Sequence, residues 1–224
     1  MFKTGIVKDG RYMEHVADGY HPESHQRLEV LYQMLNEPSM KGNYAEIPPR
    51  MATQEELELI HMPPYIRLVA STAGRSMTML DPDTYACAKS YEAAGLAVGG
   101  TLVAVDKILS GEVQNAFALI RPPGHHAETN RAMGFCLFNN VAVAASYAIS
   151  HHKLKKTLVI DWDLHHGNGT QHSFYERPDV LYFSTHQYPY YPGTGFFSET
   201  GSGPGKGQCP PERWPRRRGV LLDL

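Results

Sequence analysis

Two short segments carry the residue types that could do chemistry. The first is Arg121-Pro122-Pro123-Gly124-His125-His126-Ala127-Glu128, in which two prolines and a glycine stiffen the loop that presents adjacent imidazoles. The second is Asp161-Trp162-Asp163-Leu164-His165-His166-Gly167-Asn168-Gly169. In an extended segment side chains alternate, so Asp161, Asp163 and His165 project to one side as a ledge of carboxylates and imidazole. Imidazoles exchange protons near neutral pH, so the clustered histidines are where the function is to be read. A third segment, Ser184-Thr185-His186 followed by Tyr188-Pro189-Tyr190-Tyr191-Pro192-Gly193-Thr194-Gly195, is aromatic and tightly turned, as a channel wall would be. Other features read as structural. His151-His152 sits in a Lys-rich helix end favourable to the helix dipole, Cys136 lies between Phe135 and Leu137 as a core residue, and the glycines of 201–207 have the wrong spacing for a phosphate cradle.

The three chemical segments each follow an apolar run, 116–120, 157–160 and 180–183, which predicts three buried strands. A helix predicted over 139–152 separates the first two strands and another over 170–175 precedes the third, giving parallel crossovers. Further helices are expected over 24–35, over 53–60 behind the capping box Thr53/Glu56, and over 85–109. The fold class is α/β with a mostly parallel sheet. Ligands bind such sheets at the carboxyl ends of the strands, where the three segments stand.

With 224 residues, the chain is about one large domain. The 21 Lys and Arg against 23 Asp and Glu leave a net charge of −2, so no positive field is available to hold a nucleic acid backbone. No apolar run is long enough to span a bilayer and the first residues lack a signal-peptide core. Cys87, Cys136 and Cys209 have no C-x-x-C spacing, so neither a disulfide framework nor a thiolate zinc cluster is expected, and the reading is cytoplasmic.

The segments 121–128, 134–140 and 161–172, together with His21-Pro22-Glu23-Ser24, Arg27-Leu28 and 191–195, resemble the class II histone deacetylases and the related bacterial acetylpolyamine amidohydrolases. The resemblance runs from about Thr4 to Gly207 and implies an arginase-like α/β domain with a central, mostly parallel sheet flanked by helices. It makes Asp163 and His165 ligands of a catalytic zinc. His125 and His126 become the pair that handles protons, oriented by Asp161 and Asn168 respectively. Gly134, Phe135 and Tyr191 would line the channel for an acetylated side chain. Asp161, Asp163, His165 and Ser184 would surround a structural potassium ion, and Asp81 or Asp83 would be the rim carboxylate.

The family pattern also has a second zinc-binding Asp and an oxyanion-binding tyrosine on later segments that have no counterpart here. Residues 208–224 read instead as a divergent basic tail, expected to be irregular, so 1–207 is taken as a deacetylase-like domain incomplete on its C-terminal side, by a frameshift in one account. Two function classes follow. One is a zinc-dependent amidohydrolase acting on acetylated lysine in protein, an acetylated polyamine or another small amine; the other is an inactive remnant that at most binds metal or an acyl ligand. An incomplete sheet also implies association through an exposed edge.

Overall fold

The protein is described by a computed structural model covering residues 4–209. The elements run β1 (Thr4–Val7), α1 (Gln26–Leu35), β2 (Ala45–Ile47), α2 (Gln54–Leu57), α3 (Pro63–Ala70), β3 (Met77–Asp81), β4 (Thr84–Cys87), α4 (Ser90–Leu109), β5 (Asn115–Ala118), α5 (Asn140–Ser150), β6 (Thr157–Asp161), α6 (Asn168–Phe174) and β7 (Val180–Ser184), with short 3-10 turns between some of them. The three strands expected from apolar runs are β5, β6 and β7, but the expectation that they are buried is corrected: β5 has no buried residue and β6 only Val159, because alternate side chains of these strands face outward. The Thr53/Glu56 capping box is formed, with the Thr53 hydroxyl accepting from the Glu56 amide and the Glu56 carboxylate accepting from the Thr53 amide.

The strands form two parallel ladders and a hairpin. One ladder has the order β2-β1-β5, and β6 pairs with β7 from Thr157↔Val180 to Asp161↔Ser184. The α/β class with parallel strands is therefore as expected, and the β6-α6-β7 unit is a parallel crossover. The first expected crossover is corrected. Among the described strands β5 is hydrogen-bonded to β1 and β6 to β7, so α5 connects strands that are not neighbours. Sequence order gives local connection, but pairing partners are chosen by the whole packing arrangement.

A second correction concerns the helix expected over 85–109. Residues 84–87 are strand, paired antiparallel with β3 in the register Met77↔Cys87 and Thr78↔Ala86, and the helix starts at Ser90. The Cys87 amide donates to the Ser90 hydroxyl at 2.7 Å, which separates the strand end from the helix start. Alanine and glycine dominate α4 and its residues 93–100 are buried, so it packs closely on α5 and β5.

The largest core cluster joins α3, α4 and α5 through Tyr65, Val69, Val98, Leu102, Phe138 and Val143. Another, of Val159, Phe174, Val180 and Tyr182, lies beneath the β6–β7 ladder and includes Cys209. Gln208 also joins the fold, its carbonyl accepting from the Tyr182 amide at 2.9 Å. The rest of the expected tail, 210–224, lies outside the described residues. The three cysteines are free and buried, and no helix among the described residues is long and apolar enough to cross a membrane. Apolar side chains remain outside on β5 and β6: Phe117, Leu158 and Ile160 are each more than half exposed.

Candidate active site

The carboxyl ends of β5 and β6 bring the two histidine segments together. The His125 and His126 rings lie 4.0 Å apart between centroids and are tilted by 46°. Each has its own partner behind it. His125 Nδ1 is 3.0 Å from Asp161 Oδ2, and His126 Nδ1 is 2.8 Å from Asn168 Oδ1. Asp161 also accepts from the Tyr182 hydroxyl at 2.9 Å and from the Asp163 amide at 3.1 Å. Burial alone would raise the Asp161 pKa, but the His125 hydrogen bond and charge, with the Asp163 amide and Tyr182, hold it below the ordinary carboxylate value. An ionised carboxylate only accepts, so His125 Nδ1 carries a hydrogen and donates it to Asp161.

His126 is almost wholly buried. Desolvation, reinforced by the neighbouring His125, pushes its pKa down to about 4, against a smaller raising effect of the Asn168 hydrogen bond. It is therefore neutral near pH 7, as a proton acceptor must be. Two glycines make this packing possible. A Cβ on Gly167 would stand 2.4 Å from Asp161 Oδ2 and 2.6 Å from the Tyr182 hydroxyl. One on Gly134, whose φ is +57°, would stand 2.3 Å from the His126 ring.

A cavity of about 410 Å³ opens over these rings, a size suited to a small-molecule substrate. His125, His126, Asp163 and His165 line its chemical end, while Pro22, Pro123, Gly134, Phe135 and Tyr191 supply most of its apolar wall. The Tyr191 ring meets His126 edge-on at 5.0 Å and His165 at 5.9 Å. The alternation expected for an extended segment is corrected: β6 ends at Asp161, residues 163–165 are bends in which the Asp163 amide donates to Asp161 and the His165 amide to Asp163, and Asp163 is exposed along with Trp162 and Leu164. Of the two candidate rim carboxylates, Asp83 lines the cavity and accepts from the Gly134 amide at 3.1 Å, whereas Asp81 is not among its lining residues.

The motif near the N-terminus is tied to this site by a buried ion pair. Arg121 Nε and Nη2 lie 2.5 and 2.6 Å from the two oxygens of Glu23, and the same guanidinium donates to the carbonyls of Tyr12 and His15. Both side chains are buried. Sequence reading gave neither residue a role in building the site; a bidentate pair across 98 positions leaves no local signal.

Asp163 and His165 stand together, with His165 Nδ1 3.2 Å from Asp163 Oδ1 and both side chains partly exposed. They are two donors of the types zinc takes, whereas catalytic zinc normally takes three from the protein. Among the described residues no group of three His, Cys, Asp or Glu side chains is placed to hold a metal ion. The four residues associated with potassium come from neighbouring strand ends, Asp161 being the register partner of Ser184, although the Ser184 hydroxyl is already 2.9 Å from His186 Nδ1. His166, next in sequence, faces elsewhere: its Nδ1 is 2.8 Å from the Thr194 hydroxyl. His152 is bound to Asp106 at 2.7 Å and His151 stacks on Tyr147, away from the cavity.

Known proteins resemble this chain along most of its length. The model of the histone deacetylase domain matches residues 21–215. Histone deacetylase HDA1 of Candida albicans is 39% identical over 238 residues, covering 92% of this chain and 29% of that protein. Polyamine deacetylase HDAC10 of Danio rerio is 41% identical over 194 residues, covering 81% of this chain and 29% of that protein. The crystal structure of the HDA15 HD domain superimposes with a TM-score of 0.89 at 40% identity, covering 94% of this chain and 61% of that one. The chain thus spans under a third of these two curated relatives.

Proposed function

The chain belongs to the histone deacetylase family, and on that premise we propose that its cavity hydrolyses the amide of an acetylated amine: acetyl-lysine in protein, an acetylated polyamine or a related small amine. The observation that carries this reading is the pairing of two imidazoles, each with its own hydrogen-bond partner, at the end of an apolar cavity beside Asp163 and His165. The apolar wall of Phe135, Pro22, Pro123 and Tyr191 suits an alkyl chain and excludes water from around the amide.

Within this reading His126 Nε2 takes a proton from the attacking water, since the ring is neutral at pH 7. His125 is held in place by Asp161, and an imidazolium of the pair returns a proton to the leaving amine. Asp163 and His165 are the residues of this chain that would hold zinc, which when bound supplies a water of lowered pKa and polarises the amide carbonyl. Asp83 is our choice for the rim carboxylate, and a potassium ion held by Asp161, Asp163, His165 and Ser184 would brace the same strand ends. Three unpaired cysteines support a reducing compartment, the cytoplasm in our reading.

A second reading is favoured by one observation, that among the described residues no three His, Cys, Asp or Glu side chains are grouped to hold a metal ion. In it the chain binds metal or an acyl ligand without turnover. Acetate release from an acetyl-lysine peptide and from an N-acetylated polyamine, with zinc present, separates the two. Release that disappears in His126→Ala supports the enzyme; no release from either substrate supports the binding protein.

A further inference from the structure

The hydrogen bonds behind His126 do not end at Asn168. The Asn168 amide nitrogen is 2.5 Å from Glu128 Oε1, and the same carboxylate lies 2.9 and 3.1 Å from His172 Nδ1. Glu128 is buried, while the His172 side chain is about half exposed. A continuous chain of polar contacts therefore runs from the cavity to the surface in the order His126, Asn168, Glu128, His172.

We propose that Glu128 is a positioning residue that fixes the proton of His126 at Nδ1, acting through the orientation of the Asn168 amide, with His172 holding Glu128 in place. The argument is one of donors and acceptors. An amide side chain has one end that donates and one that accepts, and the two ends are told apart only by their partners. Burial raises the Glu128 pKa, but the His172 hydrogen bond and charge, with Asn168 and Arg131, bring it below the ordinary value. Ionised, Glu128 demands the NH2 end of Asn168. The oxygen of Asn168 is then left facing His126 and can only accept, so His126 Nδ1 carries the hydrogen and Nε2 keeps its lone pair. A flipped Asn168 would set its oxygen against a buried carboxylate, and an unsatisfied buried polar group of this kind disfavours that orientation by about tenfold or more.

The backbone of Glu128 is fixed independently. Its amide donates to the Arg131 carbonyl at 3.0 Å, and its carbonyl is 3.0 Å from His61 Nδ1. His61 Nε2 accepts from the Asn139 amide at 2.9 Å, so His61 must itself be the Nδ1–H form. It serves as an internal reference ring in the same protein.

The role of the His126 proton rests on the deacetylase reading; the tautomer does not, and it is measured without turnover. Two-bond 1H–15N correlation spectra of the 15N-histidine-labelled chain at neutral pH report each ring's tautomer directly. Wild type is expected to show His126 and His61 both as Nδ1–H. In Glu128→Met, which leaves the Asn168 amide nitrogen only its longer contacts to the His126 carbonyl and Met133 Sδ, both 3.4 Å, His126 is expected to become a mixture of tautomers while His61 is unchanged. Glu128→Gln, which keeps an accepting oxygen, is expected to restore the wild-type form. If Glu128→Met keeps His61 intact and leaves His126 wholly Nδ1–H, the proposal is overturned. If Glu128→Met does not fold, wild type decides it: an Nε2–H His126, or Asn168 side-chain amide protons at free-amide shifts, overturns it, and an Nδ1–H ring with downfield Asn168 protons sustains it. A failure of deacetylase activity in all these proteins, with the tautomers as expected, counts against the proposed function alone.

Discussion

Arg121 and Glu23, separated by 98 positions, form a bidentate ion pair that is almost completely removed from water. The pair fastens the segment 21–23 to the loop carrying His125 and His126, and so sets one wall of the cavity against the other. Removing one partner leaves the other charge buried and uncompensated. Arg121→Met or Glu23→Leu should therefore cost about 3–5 kcal/mol of stability, and the double variant should cost less than the sum of the two. Denaturant unfolding of the three proteins tests this; strictly additive losses would show that the two residues act separately.

Acid should unfold this protein early. Burial lowers the pKa of His15, His61, His126 and His166, each from 6.5 to about 4. The unfolded chain takes up protons on these rings from pH about 6.5 downward while the native state does not, so stability falls as pH drops through that window. The expected midpoint of acid unfolding lies between pH 4 and 6.5, read by circular dichroism. A native spectrum retained below pH 4 would contradict it.

His172 has the opposite sign. Its pKa is raised, first by the hydrogen bond to Glu128, against desolvation, with further help from the charges of Glu128 and Glu199 and opposition from Arg131. The stability it contributes is complete below the unfolded value of 6.5 and is lost as pH rises through the higher native value. His172→Gln should thus be less stable than wild type near pH 6 and approach it at higher pH, with thermal midpoints taken across the series. A gap that widens with pH would reverse the assignment. At the acid end the Glu128 contribution, present above its unfolded value of 4.5, is lost as pH falls through its lowered native value.

Zinc should bind Asp163 and His165 weakly, because two protein donors leave most of the ion solvated. Cobalt as a spectroscopic substitute should give a spectrum closer to the hydrated ion than to a tetrahedral site, and His165→Ala should abolish even that. Stoichiometric zinc that survives dialysis against a mild chelator, with these two residues as its only protein ligands, would count against the expectation.

The exposed Phe117, Leu158 and Ile160 on β5 and β6 should drive association. Sedimentation is expected to show concentration-dependent oligomers, shifted toward monomer by Leu158→Lys and Ile160→Lys. Monomer at all concentrations in the parent chain would remove this idea.

The sequence by itself determined the chemical segments and the strands that carry them. Apolar runs ending abruptly in Arg, Asp and Ser mark β5, β6 and β7, because apolar composition favours strand locally, although which of their faces is buried was not legible there. Helix starts with local caps, such as Thr53/Glu56, were legible for the same reason. Tyr85 to Cys87 was not, because β4 exists only through its pairing with β3, and a ladder partner outweighs the propensity of an isolated segment. Only the tertiary structure decided that β5 joins β1 while β6 joins β7, that Asp83 rather than Asp81 reaches the cavity, and that Glu23 locks onto Arg121. It also decided which way Asn168 points, since an amide takes its orientation from partners that the fold delivers. Side-chain type is written in the chain, but hydrogen-bond direction and strand neighbours are properties of groups far apart in sequence, fixed when the core closes around them.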